Sequence, residues 1–155
     1  MRSFIAAAAI AFVSVPSLGH AVKGQILDPA IHGLIRLEPL EFGSETDISH
    51  MAPREYRLKV GQGYRWKIKA SDLQEYAFTA PAFFRNIWIC KIEVEDGEIK
   101  SPTLDEIEFE QGGEPELFFV AIRPGTYDYG SRGLMERGMV GKIIVESGDE
   151  ENPAN

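Results

Sequence analysis

The sequence lacks the motifs of most catalytic and nucleotide-binding sites. It contains no His-Glu-x-x-His zinc motif, no phosphate-binding loop and no Gly-x-Ser-x-Gly nucleophile motif. Gly61-Gln62-Gly63 is not followed by a helical pattern, so it indicates a turn and not a nucleotide site. These absences predict that the protein is not an enzyme.

Cysteine is almost absent. Cys90 is the single cysteine, so the chain cannot form an internal disulfide and its stability must come from a hydrophobic core. Cys90 lies in an apolar stretch in phase with Trp88, Ile92 and Val94. Because free cysteine is among the most buried residue types, this phase predicts that Cys90 is a core residue.

Positive charge is also scarce. The chain has 16 lysines and arginines against 24 acidic residues, a formal net charge of −8. Nucleic acid is therefore excluded as a partner, because binding it requires a basic face. An acidic surface favours solubility and attracts cations or a basic partner.

No stretch reaches the roughly 20 apolar residues of a membrane-spanning helix. Residues 4–15 form an apolar run of about a dozen residues, which follows Arg2 and precedes small residues at a cleavage position after Ala21. This pattern predicts a signal peptide over residues 1–21, with a membrane anchor as the alternative. The mature chain would then be exported, to a periplasm in a Gram-negative source, and would contain no membrane span.

Apolar and polar residues alternate through residues 55–60 and 64–69, the period of a half-buried strand. A glycine turn separates the two strands, which predicts either a hairpin or a corner between two sheets. The predicted inward positions are Tyr56, Leu58, Val60, Tyr64, Trp66 and Ile68.

Six further strands are predicted, at residues 75–79, 87–95, 104–110, 116–122, 126–129 and 139–145. Pro81 begins a predicted helical turn over residues 82–86. About eight strands at intervals of ~8–12 residues predict an all-β fold, a Greek-key β-sandwich in one domain.

The predicted sandwich spans residues 54–146. An N-terminal extension over residues 22–53 is predicted to be partly loop, with a short extended segment at residues 34–37. An acidic tail over residues 147–155 is predicted to be disordered.

Three segments carry a family resemblance: VGQGYRWKI at residues 60–68, EYAFTAPAFF at residues 75–84, and the closing frame PGTYDY…GMVGKIIV at residues 124–145. Together they resemble the cupredoxins, the plastocyanin- and azurin-type copper proteins. The resemblance implies a cupredoxin-like β-sandwich whose copper ligands lie at one end.

The ligand positions that the resemblance implies are mostly substituted. Its histidine positions fall on Tyr76 and Leu134, its cysteine position on Ser131 and its methionine position on Met139. A blue-copper site requires two imidazoles and one thiolate, with methionine as a weak axial ligand. The sequence therefore predicts no blue-copper centre and no electron transfer by the family mechanism.

The same end of the sandwich offers donors for a different metal site. The predicted metal residues are Met139, Tyr76, Glu136 and Met135, whose thioethers suit cuprous copper and whose carboxylate and phenol suit ferric iron. Each has a structural alternative, since Met139 and Tyr76 can be core residues and Glu136 a solvated loop residue. The alternative to copper or iron is that the protein binds no cofactor.

His50 and Met51 form a second candidate metal pair, which His32 could join if the N-terminal segment packs nearby. Phe83, Phe84 and Trp88 are predicted to lie beside the site. Part of this set is expected to be core, and the share left outside would form an apolar patch for a partner protein.

The sequence thus predicts an exported cupredoxin-like protein that binds or handles copper or iron without a blue-copper site. Its expected partner is a periplasmic protein or a component of metal transport. The alternative is a metal-free periplasmic module that docks a partner protein through its loop end.

Overall fold

The computed structural model describes residues 33–147 and consists mainly of two packed β-sheets. Their buried faces account for the alternating apolar pattern of the sequence. A short helix, α1 (Pro81–Phe84), confirms the predicted helical turn. The strands in chain order are β1 (Ile35–Arg36), β2 (Leu40–Phe42), β3 (Met51–Ala52), β4 (Glu55–Lys59), β5 (Gly63–Ala70), β6 (Tyr76–Thr79), β7 (Ile87–Val94), β8 (Gly97–Ile99), β9 (Glu106–Phe109), β10 (Glu116–Ala121), β11 (Gly125–Ser131) and β12 (Val140–Glu146).

The first sheet has seven strands in the order β3-β2-β5-β10-β7-β8, with β1 also pairing with β5. The second has five strands in the order β4-β12-β11-β6-β9. Both sheets are mixed, because β1 and β2 run parallel to β5 and β4 runs parallel to β12. The all-β sandwich is confirmed, and the eight predicted strands are present together with four of two or three residues each.

The glycine turn at residues 61–63 is a corner between the sheets, because β4 lies in the second sheet and β5 in the first. The sequence pattern allowed either a corner or a hairpin. The sandwich also begins before residue 54. Leu40, Phe42 and Met51 are buried, and β2 pairs with β5, so residues 35–52 belong to the first sheet.

Trp66 lies at the centre of the core and is 1% exposed. Its indole makes edge-on contacts with Tyr56 at 4.8 Å, Phe78 at 5.1 Å and Tyr129 at 5.9 Å between ring centroids. Tyr56 on β4 and Phe78 on β6 belong to the second sheet and Trp66 on β5 belongs to the first, so these contacts join the two layers. Aromatic pairs in this geometry add to the free energy of burial.

Cys90 is half-buried, and the prediction that it is a core residue was wrong. Trp88, predicted to share its buried face, is 54% exposed. Phe83 and Phe84 are buried in the core, so Trp88 is the one of the three predicted aromatics that is left at the surface.

A β-bulge in β7 explains the position of Cys90. Phe119 of β10 pairs with Ile89 and Phe118 pairs with Lys91, which leaves Cys90 as the extra residue between them. One extra residue reverses the inward and outward faces of the rest of the strand. A fixed period of two therefore assigned the wrong face to the first half of β7.

An ion pair on the outer face of the first sheet gives stability that depends on pH. Arg65 donates from Nε and Nη2 to Glu116 Oε1 (2.8 Å) and Oε2 (2.6 Å). These hydrogen bonds hold the pKa of Glu116 below its usual value. The unfolded chain therefore binds more protons in acid, so the pair stabilises the fold fully above the ordinary glutamate pKa and loses its effect as the pH falls through the lower folded pKa.

Glu116→Gln is expected to lower the free energy of unfolding by about 1–2 kcal/mol at neutral pH and by much less in acid. Urea unfolding at pH 7 and at about pH 3 measures the difference. Glu114→Gln is the control, because Glu114 makes an exposed ion pair with Lys67 (3.0 Å) and such pairs contribute ~0–1 kcal/mol. An equal loss at both pH values would contradict the linkage.

Residues 1–32 and 148–155 lie outside the described residues. The predicted signal peptide (1–21), His32 and all but the first residue of the predicted acidic tail (147–155) fall there. Within residues 33–147, no helix has the length and apolar character to cross a membrane.

Candidate functional site

The loop between β11 and β12 brings three of the family ligand positions together. Ser131 N–H donates to Met139 O (3.2 Å), Leu134 N–H to Ser131 O (3.0 Å) and Met139 N–H to Leu134 O (3.2 Å). A 3-10 turn, Met135–Arg137, fills the space between them. Positions 131, 134 and 139 therefore lie in one hydrogen-bonded loop, although none carries a thiolate or an imidazole.

Gly130 allows this loop to close. A Cβ atom built on Gly130 would lie 2.2 Å from the backbone oxygen of Met139, a distance that real Cβ atoms do not adopt. Gly130 also pairs with Thr79 on one side and Val140 on the other. A side chain here would separate the loop from β12.

Arg54 fixes the other side of the loop. Its Nη1 atom donates to Gly138 O and to Val140 O, the latter at 3.2 Å. Lys142 N–H donates to Arg54 O (2.9 Å), so the residue that precedes β4 is bonded to β12 from both its side chain and its backbone. A cation at the last carbonyls of the turn compensates their partial negative charge.

Ser131, where the resemblance implies a cysteine ligand, is fully buried. Its Oγ accepts a hydrogen bond from the backbone N–H of Ala77 (3.3 Å), and its Cα pairs with Phe78 of β6. The hydroxyl thus satisfies a backbone donor next to the histidine position at Tyr76. Buried polar atoms need such partners, and here the serine serves the fold.

Tyr76 braces a neighbouring loop. Its hydroxyl donates to Ile48 O (2.8 Å), and its ring stacks on Phe42 with 5.9 Å between centroids. A Cβ on Gly43 would lie 2.3 Å from the Tyr76 hydroxyl, so glycine is required for this approach. Tyr76 therefore holds the loop over residues 43–50 against the end of the sandwich.

The four predicted metal residues fall into two groups. Met139 and Tyr76 are each 1% exposed and belong to the core. Met135 is half-buried and Glu136 is exposed, both on the 3-10 turn. A Cβ on Gly130 would lie 3.0 Å from Met135 Cγ, so Met135 covers that glycine. Met135 and Glu136 are therefore consecutive residues on the side of the loop that reaches solvent, while Met139 and Tyr76 lie inside.

These residues do not fit a blue-copper centre. That centre needs a thiolate and two imidazoles, and the three positions hold a serine hydroxyl, an aliphatic side chain and a phenol. Across residues 33–147, no three His, Cys, Asp or Glu side chains lie close enough together to hold a metal ion. The remaining candidate donors are Met135, Glu136 and Met139 in the loop and Tyr76 on β6.

His50 lies in the loop that Tyr76 braces. Its N–H donates to Asp47 O (3.2 Å) and its carbonyl accepts from Gly43 N–H (2.9 Å). Met51 follows it into β3 and is buried. His50 therefore belongs to the same hydrogen-bonded loop that Tyr76 contacts through Ile48, and Met51 continues from it into the first sheet.

Sequence reasoning missed Arg54 and the contact between Tyr76 and Ile48. Arg54 opens a stretch of alternating residues and has no motif around it. Its role depends on the parallel pairing of β4 with β12, which joins residues more than 80 positions apart. No local pattern carries that information.

No protein-family profile matches the sequence, and no curated protein sequence matches it. Among solved structures, the chain is similar to a multicopper oxidase from Campylobacter jejuni that is described as a metallo-oxidase, with a TM-score of 0.50 and 12% sequence identity. The match covers 74% of this chain and 30% of the oxidase, so the chain spans less than a third of that protein. At this identity the similarity concerns the fold alone. Because the oxidase contains cupredoxin-like domains, it supports the conclusion that residues 33–147 form a cupredoxin-like β-sandwich.

Proposed function

We propose that this protein is exported to the periplasm and handles copper or iron there without a blue-copper centre and without catalysing a reaction. The observation that carries the proposal is the closed loop of residues 130–139. This loop carries Met139, the one position where the residue type matches the ligand that the cupredoxin resemblance implies. A periplasmic partner or a metal transport component would deliver or receive the ion.

The two groups of donors suit different modes of binding. Met135 and Glu136 lie on the solvent side, where an ion can arrive without disturbing the core. Met139 can contribute only if the 3-10 turn moves, because it is buried. Tyr76 can contribute only by giving up its hydrogen bond to Ile48. Thioether donors favour cuprous copper over harder cations, so weak cuprous binding at the loop is the leading expectation.

Adding cuprous ions to the protein is expected to raise its midpoint of thermal unfolding, because a ligand that binds only the folded state stabilises it by about 2.7 kcal/mol at 100 times its dissociation constant. Cupric and ferric ions are measured in parallel. Met135→Leu and Met139→Leu keep side-chain volume and remove the thioether, at a cost to stability below about 1.5 kcal/mol. We expect either substitution to reduce the shift.

Met51→Leu is the matched control, since it removes a buried thioether outside the loop. If the shift disappears only in that variant, the ion binds beside His50 and the loop proposal is wrong. If no ion shifts the midpoint of the wild-type protein, the proposal of metal handling is wrong as well.

A metal-free docking module is the second candidate function. It is favoured by the hydrogen bonds that already occupy the Ser131 hydroxyl and the Tyr76 hydroxyl, so that two substituted ligand positions now serve packing. Exposed residues of the 3-10 turn, Glu136 and Arg137, would then contact the partner. A thermal midpoint that no ion changes is the result expected for this function.

A further inference from the structure

A groove runs along one side of the sandwich, where the two sheets meet at their edges. One wall is the turn between β7 and β8, the other is β9, and residues 112–115 close one end. Its volume is about 390 Å³. Its lining includes four apolar residues and four acidic residues: Val94, Ile107, Phe109 and Pro115, and Glu95, Asp96, Glu108 and Glu114.

We propose that this groove binds an extended, basic segment of a partner protein, which adds as a strand to β9. The groove contains no residue of the loop over 130–139, so the inference goes beyond the proposed metal handling and does not depend on it.

The backbone of β9 is available for pairing. Within the described residues β9 is the last strand of the five-stranded sheet and pairs with β6 on one side, from Tyr76 opposite Phe109 to Thr79 opposite Glu106. On the facing wall, β8 is the last strand of the other sheet. An edge strand offers unpaired N–H and C=O groups, and addition of a peptide strand is a recurrent way of using them.

The apolar residues of the groove fit the alternating side chains of a strand. Val94 and Ile107 are half-buried and pack against the core from opposite walls, and Pro115 is buried at the closed end. A strand laid along β9 directs every second side chain to one face. Apolar side chains at those positions would cover Val94 and Ile107, which are now partly open to water.

The negative charge of the exposed carboxylates favours a basic partner. Glu95, Asp96, Glu108 and Glu114 are all exposed, and Lys67 is the basic side chain that pairs with one of them, Glu114. The remaining three carboxylates face solvent around the groove. Complementary charge steers association and excludes acidic partners, so the intervening residues of the bound segment should be lysine or arginine.

A short peptide tests the proposal. The probe is an acetylated and amidated peptide of about six residues, the usual length of a strand, in which lysine and valine alternate. Its binding to the full chain is followed by isothermal titration and by backbone amide chemical shifts at low ionic strength. We expect saturable binding, with shifts concentrated in residues 94–97 and 106–115, that weakens as salt is added.

Two further peptides separate strand addition from attraction by charge. The first carries N-methyl groups at every second residue, so it keeps the charge and loses backbone donors. The second replaces each lysine with glutamate. We expect both to lose binding. Equal binding of the N-methylated peptide would overturn strand addition, and failure of the lysine peptide to bind would overturn the proposal.

Charge-neutral variants locate the site. Asp96→Asn combined with Glu108→Gln is expected to weaken peptide binding about fivefold, as two exposed charges each contribute ~0.5 kcal/mol. Asp128→Asn combined with Glu45→Gln removes the same charge at exposed positions outside the groove. Equal weakening by both pairs would show an effect of net charge and contradict the groove. The cuprous thermal shift is measured on the same groove variant, where it should be unchanged, so the two proposals can fail separately.

Discussion

Replacing Trp66 with alanine is expected to lower the free energy of unfolding by about 3–5 kcal/mol, the usual loss for a large aromatic residue removed from a core. The reason is its position between the layers. The indole touches rings from β4, β6 and β11, so its removal opens a cavity that neither sheet can fill alone. Typical single-domain stabilities are about 5–15 kcal/mol, so a loss of this size is a large fraction of the total.

Urea unfolding followed by far-ultraviolet circular dichroism measures the loss. Trp66→Phe is the matched control, because it keeps a ring in the cluster and should cost clearly less than alanine. Ile122→Ala is a surface control, as Ile122 is an exposed apolar residue. A loss in Trp66→Ala no larger than in the surface variant would mean that the sheets do not depend on this contact.

The regular strands could be predicted from the sequence because their cause is local. Alternation in residues 55–60 and 64–69 placed Tyr56, Leu58, Tyr64, Trp66 and Ile68 on the buried face, as the structure has them. A half-buried strand needs only one apolar residue in every two, and a window of six residues is enough to record it.

Pairing between distant segments could not be predicted. β2 has three residues between Pro39 and Gly43, too few for a periodic signal, yet it joins the first sheet by pairing with β5. The bulge at Cys90 likewise depends on β10, which supplies one residue fewer than β7 across that stretch. Both features arise from the partner strand and leave no mark in their own segment.

The candidate site was partly predictable. Family spacing placed Ser131, Leu134 and Met139 in one loop, and their backbone hydrogen bonds connect them in the structure. The roles of the side chains could not be predicted in the same way. Whether Tyr76 faces a metal or a carbonyl depends on the loop around Ile48, which the family resemblance does not cover.

Restoring the family donors should create a copper centre. In a variant with Tyr76→His, Ser131→Cys and Leu134→His, β6 and the loop together would offer two imidazoles and a thiolate with Met139 as the axial ligand, the donor set of a blue-copper site. Position 131 is buried and bonded to β6, which protects a copper thiolate from solvent. The new cysteine must be distinguished from Cys90, so the variant is made in a Cys90→Ser background.

Two controls accompany this variant. The first retains Ser131 and carries the two histidines, which should bind copper without any thiolate band. The second carries Ser131→Cys alone and lacks the imidazoles. Circular dichroism establishes that each variant folds, because replacing Tyr76 removes the brace to Ile48 and is expected to lower stability.

The most direct measurement is the visible absorption spectrum of the folded three-donor variant with one equivalent of cupric ion. If residues 130–139 retain the cupredoxin ligand frame, an intense band from charge transfer between thiolate and copper should appear in that variant, and in neither control nor the wild-type protein. Copper binding by the folded variant without such a band would show that positions 76, 131, 134 and 139 do not converge on one ion. An intense band in the wild-type protein would contradict the loss of the site itself.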